Sequence, residues 1–349
     1  MKRFFKVLGL LLALGIVYLL VWPTPIDPVA WDPPTPPEVK PTGSLASAER
    51  LLAGSRGPEA LTFDAAGNLY AGLLDGRIVR MKPDRSAETF AETGGRPLGM
   101  TFDGGGRLIV ADAKKGLLAV DPAGKVSVLA DEHQGAKLKF TDDLAIAADG
   151  TIYFSDASTR YGYGQDRLDI VEHRPSGRVF AYHPDSRALE VVVDKIHFAN
   201  GTALAEDGSY LLVNETGSYR VLRHWLAGPK KGTTEPFAEN LPGFPDNITR
   251  SPRGGYWVAI YSPRVAMLEK TSPHPLLRKM MMRLPAAVQP KPVPHGMVLH
   301  LDGDGKIDRL LVDDSATAYS PITSCLERDG KLWLGSLAAD GVATIAAPI

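Results

Sequence analysis

The sequence has almost no cysteine and almost no net charge. Cys325 is the one cysteine among 349 residues, so an intramolecular disulfide is excluded and the cysteine content does not identify a redox compartment. The 39 Lys and Arg residues are balanced by 40 Asp and Glu, which gives a formal net charge of -1. Because a balanced charge provides no general attraction to phosphate backbones, we expect no nucleic-acid partner.

Two common functional motifs are also missing. No G-x-S-x-G occurs, and Ser155 and Ser158 have no His and Asp at motif spacing. The GDG at residues 303–305 lacks the remaining acidic positions of an EF-hand loop, so it is interpreted as a hairpin turn. The sequence therefore predicts neither a nucleophile-elbow serine hydrolase nor an EF-hand.

One long apolar run is present, at the N-terminus. It extends from Val7 to Trp22 behind the basic residues Lys2, Arg3 and Lys6, and is close to the roughly 20 residues that a bilayer core requires. The basic flank favours a cytoplasmic N-terminus with the rest translocated. We predict that residues 1–22 are an uncleaved signal anchor of a single-pass membrane protein, with the remainder on the extracytoplasmic (periplasmic or lumenal) side. A signal peptide cleaved near Ala30 is the alternative.

Proline dominates the next segment, residues 23–44, which contains PTPIDPVAWDPPTPPEVKP. Such a composition is typical of a stiff, extended spacer. We expect it to separate the membrane from a folded domain that occupies residues 45–349.

The 35 glycines and 28 prolines of the chain indicate many turns and short strands. A unit of two apolar strands around a Gly-containing turn recurs six times, and third and fourth strands follow most copies. The copies begin at Glu59, Leu98, Asp142, Asn200, Asp246 and Pro321. The repeat predicts an all-β fold, a six-bladed β-propeller, rather than a sandwich or two barrels. We expect residues 49–54 to supply the outer strand of the closing blade.

Two insertions interrupt the repeat. The first is STRYGYGQDRLDIVEHRPSG in the third blade, and the second covers about residues 263–294 in the fifth. The second contains PLLRKMMMRLP, a basic and apolar segment with helical spacing. This segment is interpreted as a helix packed on the propeller rim, as a lid, or as a surface helix on the membrane that holds the anchor.

Oxygen-bearing side chains recur at the first position of the repeat. Because equivalent positions of the innermost strands lie at one height around the central channel, Glu59, Asp142, Asn200 and Asp246 should point toward one axial point. Their carboxylates would repel one another unless a cation lay between them. Carboxylate and amide oxygens suit Ca²⁺, and Asn247 is a candidate fifth ligand. Alternatively, each residue is an ordinary turn residue at a strand end.

Several segments resemble a known family. They are GPEALTFD, RPLGMTFD, VADAKKGLLAVD, DDLAIAADGTIYFSDAS, FANGTAL and LPGFPDNITRSPRGGYWVAI. They are similar to the strictosidine synthase-like family, of the adipocyte plasma membrane-associated type, and more distantly to paraoxonases and gluconolactonase-like propellers. The resemblance extends from about Leu51 to the C-terminus.

The resemblance implies a catalytic Ca²⁺ whose ligands match Glu59, Asp142, Asn200 and Asp246, with Asn247 beside them. Asp142 stands where these relatives usually carry Asn. Ala60 and Leu98 replace an acidic residue and a histidine of paraoxonases, so neither a second ion nor a His-assisted mechanism is expected. Strictosidine synthases rely on a late Glu, which residues 319–322 do not contain, and strictosidine synthase activity is therefore not expected.

The combined prediction is a membrane-anchored, Ca²⁺-dependent hydrolase of small lactones or aryl esters. The ion would polarise the ester carbonyl, and a carboxylate, first Asp246 and otherwise Glu59, would position or deprotonate the attacking water. The alternative is a non-catalytic, membrane-tethered binding module with a structural cation, because a propeller fold alone does not decide function. The sequence makes no prediction of oligomeric state.

Overall fold

The computed structural model describes residues 1–289 and 295–348. It begins with an apolar helix, α1, Lys2–Val21, in which no residue is buried. Its length and composition are sufficient to span a membrane. The helix ends before Trp22, which precedes Pro23 and has an extended backbone, because a residue before proline is disfavoured in the helical region.

The strands form small sheets that follow one another along the chain. Two strands come first, β1 Gly43–Ser44 and β2 Glu49–Arg56. Blade 1 contains β3 Leu61–Phe63, β4 Leu69–Gly72, β5 Arg77–Met81 and β6 Ala87–Glu92. Blade 2 contains β7 Pro97–Phe102, β8 Leu108–Asp112, β9 Gly116–Val120 and β10 Val126–Ala130, and is followed by the hairpin β11 Glu132–His133 and β12 Ala136–Lys137.

The remaining blades repeat this order. Blade 3 contains β13 Thr141–Ile146, β14 Ile152–Asp156, β15 Gly177–His183 and β16 Ala188–Ile196. Blade 4 contains β17 Ala199–Leu204, β18 Tyr210–Glu215, β19 Arg220–Trp225 and β20 Thr234–Ala238. Blade 5 contains β21 Gly243–Arg250, β22 Tyr256–Pro263, β23 Gly296–Leu301 and β24 Ile307–Asp313, and blade 6 contains β25 Ser324–Arg328, β26 Lys331–Gly335 and β27 Asp340–Ala346.

The six blades close into a ring. Each innermost strand (β3, β7, β13, β17, β21, β25) lies beside the next, and β25 returns to contact β3. Blade 6 is completed by β2, which pairs with β27, while β1 pairs with β24 in parallel. The predicted six-bladed propeller and the predicted origin of its closing strand are both confirmed.

The hydrophobic core is divided among the blade interfaces. One apolar cluster lies between each pair of neighbouring blades, and all six interfaces have one. In blade 2 every residue of β8 and β9 is buried, whereas β10 on the outside is partly exposed. Apolar runs therefore form the inner strands, and alternating or polar sequences form the outer edge.

The two insertions form helices above one end of the ring. The first contains α2, Asp166–Glu172, and connects β14 to β15; the second contains α3, Ala266–Thr271, and α4, Pro275–Arg283, and connects β22 to β23. Pro275 stands in the first turn of α4, where proline is favoured. The helical interpretation of PLLRKMMMRLP is confirmed; residues 290–294 of the expected insertion lie outside the described residues. We call α2, α3 and α4 the roof helices.

Residues 23–42, which we call the strap, contain no helix or strand. They lie on the propeller, and Ile26 is buried. Side chains of the domain donate to its carbonyls: Arg264 to Pro34 at 2.7 Å and Asn240 to Thr35 at 3.0 Å. The physical reason is that proline lacks an N–H but keeps a carbonyl acceptor, and the domain supplies the donors.

Candidate functional site

The innermost strands are irregular where the predicted ligands lie. The antiparallel pairing shifts register between Pro97 and Gly99, Thr141 and Leu144, Ala199 and Thr202, and Pro245 and Ile248. A bulge of this kind re-aims side chains and ends regular pairing. In blades 2 to 5 the bulges hold Leu98, Asp142, Asn200 and Asp246, so the strand starts turn these side chains inward.

Two glycines let the bulges approach one another. A Cβ atom on Gly201 would lie 2.5 Å from the Ile248 amide nitrogen and 2.6 Å from the Asp246 carbonyl oxygen. A Cβ atom on Gly99 would lie 2.6 Å from an Asp143 carboxylate oxygen. Because such distances are too short for any side chain, glycine at these positions allows neighbouring blades to bring their polar residues together.

Glu59, Asp142, Asn200 and Asp246 line one cavity of about 300 Å³. With Asn247, which is also buried, we call them the hub residues. Thr141 pairs with Asp156, so the loop after β14 leaves blade 3 at the end where β13 begins; the roof helices therefore cover the hub. The cavity walls are largely apolar and include Leu98, Phe140, Tyr163, Ile170, Val171, Phe198, Phe244, Tyr261, Val265, Leu268, Met281 and Leu337.

The hub concentrates carboxyl groups away from water. Burial, followed by repulsion from Glu59, raises the pKa of both Asp142 and Asp246 well above the usual range, and Asp246 is also repelled by Asp142. Burial raises the pKa of Glu59 to about 7. These mutual effects place the three carboxyl groups within electrostatic reach of each other, and a nearby positive charge would relieve them.

Three oxygen atoms of the hub accept no hydrogen bond from the described residues. They are Asp142 Oδ1, Asn200 Oδ1 and Asn247 Oδ1, and a buried oxygen without a donor is costly unless a cation faces it. Among the described residues, no three His, Cys, Asp or Glu side chains converge closely enough to hold a metal by themselves. An ion at the hub therefore needs the amide oxygens, and this mixed set fits a hard cation such as Ca²⁺.

Arg96 is a site residue that sequence reasoning missed. Its guanidinium is fully buried, lies 2.8 Å from Glu59 Oε2 and also donates to the Gly57 carbonyl at 2.7 Å. Glu59 is thus partly neutralised by protein, whereas Asp142 and Asp246 have no such ion pair among the described residues. Arg96 stands two positions before Leu98, and nothing in the residue spacing distinguishes it from an ordinary surface arginine.

The insertions supply further cavity residues that were not predicted, notably Tyr163 and Asp166 from the first and Val265 and Met281 from the second. In the part of the chain that the structure describes, the cavity carboxyl groups belong to Glu59, Asp142, Asp166 and Asp246. Blade 6 contributes Leu337 but no carboxyl group. Its Glu327 instead accepts hydrogen bonds from Trp257 and Ser251, each at 2.7 Å.

Solved structures show the same architecture. A gluconolactonase from Xanthomonas campestris superimposes with a TM-score of 0.63 at 19% identity, covering 93% of this chain and 99% of that one. A calcium-binding regucalcin from Agrobacterium tumefaciens gives 0.59 at 14% identity, covering 88% and 95%. At these identities the similarity concerns the fold alone.

Sequence comparisons identify the family. A strictosidine synthase model matches residues 142–229, and an N-terminal strictosidine synthase-like model matches residues 41–81. Strictosidine synthase-like protein 10 of Arabidopsis thaliana is 35% identical over 333 residues, 86% of this chain and 89% of that one. The adipocyte plasma membrane-associated protein of Rattus norvegicus is 34% identical over 352 residues, 93% of each. The chain therefore belongs to the strictosidine synthase-like family.

Proposed function

We propose that the protein is a Ca²⁺-dependent hydrolase of lactones or aryl esters. The observation that carries this proposal is that three buried carboxyl groups, those of Glu59, Asp142 and Asp246, line one mainly apolar cavity together with the Asn200 amide, and that the buried Asn247 follows Asp246 in the chain. Such an arrangement stores electrostatic repulsion unless it holds a cation. A bound Ca²⁺ would supply a Lewis acid for a carbonyl oxygen and stabilise the negative charge that develops there.

Asp246 is the residue that we assign to proton transfer. Its backbone is tightly held: its carbonyl accepts from the Asn214 amide at 2.5 Å, and the preceding Pro245 carbonyl accepts from Thr216 at 2.7 Å. Glu59 is a weaker candidate, because Arg96 already occupies one of its oxygens. Asp246 would accept a proton from water as that water attacks the ester carbonyl, and later return it to the leaving oxygen.

The cavity walls suit the apolar part of such a substrate. Phe140, Phe198 and Phe244 surround the space beside the hub, and Leu98 stands among them. These residues would bind an acyl chain, a lactone ring or an aryl group and exclude bulk water. Tyr163 and Tyr261 also line the cavity, and their hydroxyl groups would donate hydrogen bonds to the polar end of the ester.

The comparisons support this proposal by analogy. One structural neighbour is described as a gluconolactonase and another as a calcium-binding protein, and both share this fold. Within the described residues, the blade 6 wall of the cavity carries no carboxyl group, which argues against an activity like that of strictosidine synthase. We further propose that α1 anchors the chain, with the propeller on the extracytoplasmic side, because α1 is apolar and none of its residues is buried.

The proposal is tested by assaying the full chain in detergent or nanodiscs on a panel of lactones and phenyl esters, with Ca²⁺ and with chelator. We expect turnover that chelation abolishes. Asp246→Asn should lower kcat/KM by roughly 100-fold or more, because it removes the proton acceptor. Asp142→Asn is the matched control: it removes one charge but keeps a ligand oxygen, so it should retain most turnover.

The outcome that contradicts an enzyme is a chelator that only lowers the melting temperature, with no hydrolysis of any substrate by the wild type. That result would favour the binding module with a structural cation. Equal rates for wild type and Asp246→Asn would instead remove Asp246 from the chemistry.

A further inference from the structure

Helix α4 exposes two leucines in its first turn and buries the arginine that follows them. Leu276 and Leu277 are 51% and 42% exposed, whereas the neighbouring Arg278 is fully buried. An amphipathic helix on a soluble domain normally places leucine inward and arginine outward. The outward leucine face therefore lacks a partner within the described chain.

Arg278 explains why the helix is held in this orientation. Its guanidinium donates to the Val171 carbonyl at 2.7 Å and to the Ser272 carbonyl at 2.9 Å, and it also donates to the Val29 carbonyl. These acceptors belong to α2, to the α3–α4 turn and to the strap. One buried arginine thus connects the roof helices to the strap, and turning the leucines inward would break all three connections.

The membrane-length helix α1 ends against α4. Arg283, the last residue of α4, donates to the Leu19 carbonyl at 2.6 Å and to the Trp22 carbonyl at 2.5 Å, and its own carbonyl accepts from the Tyr18 hydroxyl at 3.1 Å. Lys279 pairs with Asp27 of the strap at 3.0 Å. If α1 crosses a bilayer, its last turn lies at the interface, so α4 must lie there too.

The exposed apolar surface is concentrated at this place. Of the seven large apolar side chains that are exposed after Trp22 within residues 1–289 and 295–348, four belong to the second insertion. They are Met267, Leu276, Leu277 and Val288. Lys270, Lys279 and Arg283 flank this apolar surface, whereas the side chains of Arg264 and Arg278 in the same segment are buried. An apolar face with basic flanks fits the interface of an anionic bilayer.

The inner side of the same helices lines the cavity. Met281 of α4, Leu268 of α3 and Ile170 of α2 are all cavity residues. The roof helices therefore separate the hub cavity from the surface that carries the exposed leucines. An apolar molecule dissolved in the bilayer would reach the cavity by passing between them, without crossing water.

We propose that the leucine face of α4 rests in the bilayer interface and that the cavity takes its substrate from the membrane, as an amphiphile with a long apolar chain. For the chemistry performed on that amphiphile, this inference rests on the proposed function and narrows the ester or lactone to a lipophilic one. The position of the roof and the route of entry do not depend on turnover.

The test uses the full chain in nanodiscs of phosphatidylcholine and phosphatidylglycerol that contain a long-chain fatty ester bearing a diazirine. After irradiation, mass spectrometry locates the labelled residues. We expect label on α4 and inside the cavity, at Tyr163, Tyr261 or Met281. In the double variant Leu276→Ser/Leu277→Ser, cavity labelling should fall roughly tenfold. The reason is that the variant loses the favourable free energy of transferring two leucine side chains from water into the bilayer. Val128→Ser, an exposed residue of blade 2, is the matched control and should label like the wild type.

Label confined to α1, or equal cavity labelling in the double-serine and control variants, would overturn the inference. The outcome also separates it from the proposed function. Cavity labelling by a protein that hydrolyses no ester would retain the membrane route and reject the chemistry. Hydrolysis of short soluble esters without cavity labelling would do the reverse.

Discussion

The hub and the roof break the usual distribution of polarity in opposite directions. The hub buries carboxyl groups at the centre of the ring, whereas the roof exposes leucines and buries an arginine. Each arrangement would be unfavourable for an isolated protein in water. We propose a different partner for each region: a cation where carboxyl groups are buried, and a bilayer where apolar surface is exposed.

Arg96 shows how far the protein itself compensates the hub. It neutralises Glu59 but leaves Asp142 and Asp246 to repel each other. In the roof, the buried charge of Arg278 is compensated by the backbone carbonyls that accept its hydrogen bonds. The hub should therefore respond to ions and pH, and the roof to lipid.

The largest expected effect is at Arg96. In chelator, Arg96→Met should lower the free energy of unfolding by about 3–5 kcal/mol, because Glu59 then stays buried without a counter-charge. Excess Ca²⁺ should restore much of the loss. Arg178→Met removes the partner of the buried Asp156 in blade 3, which is not a cavity residue, and the stability that this variant loses should not respond to Ca²⁺. Thermal unfolding of both variants, with and without Ca²⁺, measures the two losses. Equal recovery of stability in Ca²⁺ by both variants would contradict the prediction.

The second effect is the pH dependence of the ion-free protein. Folding raises the pKa of Glu59 to about 7 and those of Asp142 and Asp246 above the usual range. A carboxyl group with a raised pKa stabilises the fold below its unfolded pKa, and that contribution is lost as pH rises through the folded value. In chelator, the titration of Glu59 alone should thus lower stability by on the order of 2 kcal/mol from about pH 5 to about pH 8, and Asp142 and Asp246 should add to the decline.

Bound Ca²⁺ should remove most of this decline, because it favours the ionised carboxylates. Melting curves across the pH range, with Ca²⁺ and with chelator, check both statements. A chelated protein that becomes more stable toward pH 8 would show that the hub carboxyl groups are not repelling one another.

The smallest expected effect distinguishes the two faces of α4. Met281→Ala should cost about 2 kcal/mol, because its buried side chain packs with Ile26, Tyr161 and Val171. Leu277→Ala on the outer face should change the free energy of unfolding in detergent by less than about 0.5 kcal/mol. Urea unfolding measures both, and a large loss at Leu277 would mean that the leucine face already has a protein partner.

Much of the fold was predictable because each blade repeats one local pattern. A Gly turn between two apolar strands recurs in register, so the starts of the innermost strands, and with them Glu59, Asp142, Asn200 and Asp246, could be aligned without a structure. The apolar run and the helical spacing of residues 275–283 were equally local features.

The remaining features depend on contacts between distant segments. The bulges at the inner strand starts arise from pairing between strands and leave no mark in residue spacing. Arg96 reaches Glu59 across blades, and Arg278 reaches carbonyls of three separate segments. The strap was expected to be a spacer, because proline content describes chain stiffness but does not reveal which arginines will bind its carbonyls.

The central claim, that the hub holds a hard cation, is tested most directly by calcium titration of the chelated full chain by calorimetry at neutral pH. We predict saturable binding of one ion per chain, weakened roughly tenfold or more by Asp246→Asn through the loss of a charged ligand. Asp156→Asn, a buried carboxyl group outside the hub, should bind like the wild type. Absence of binding, or equal affinity in all three proteins, would contradict the account.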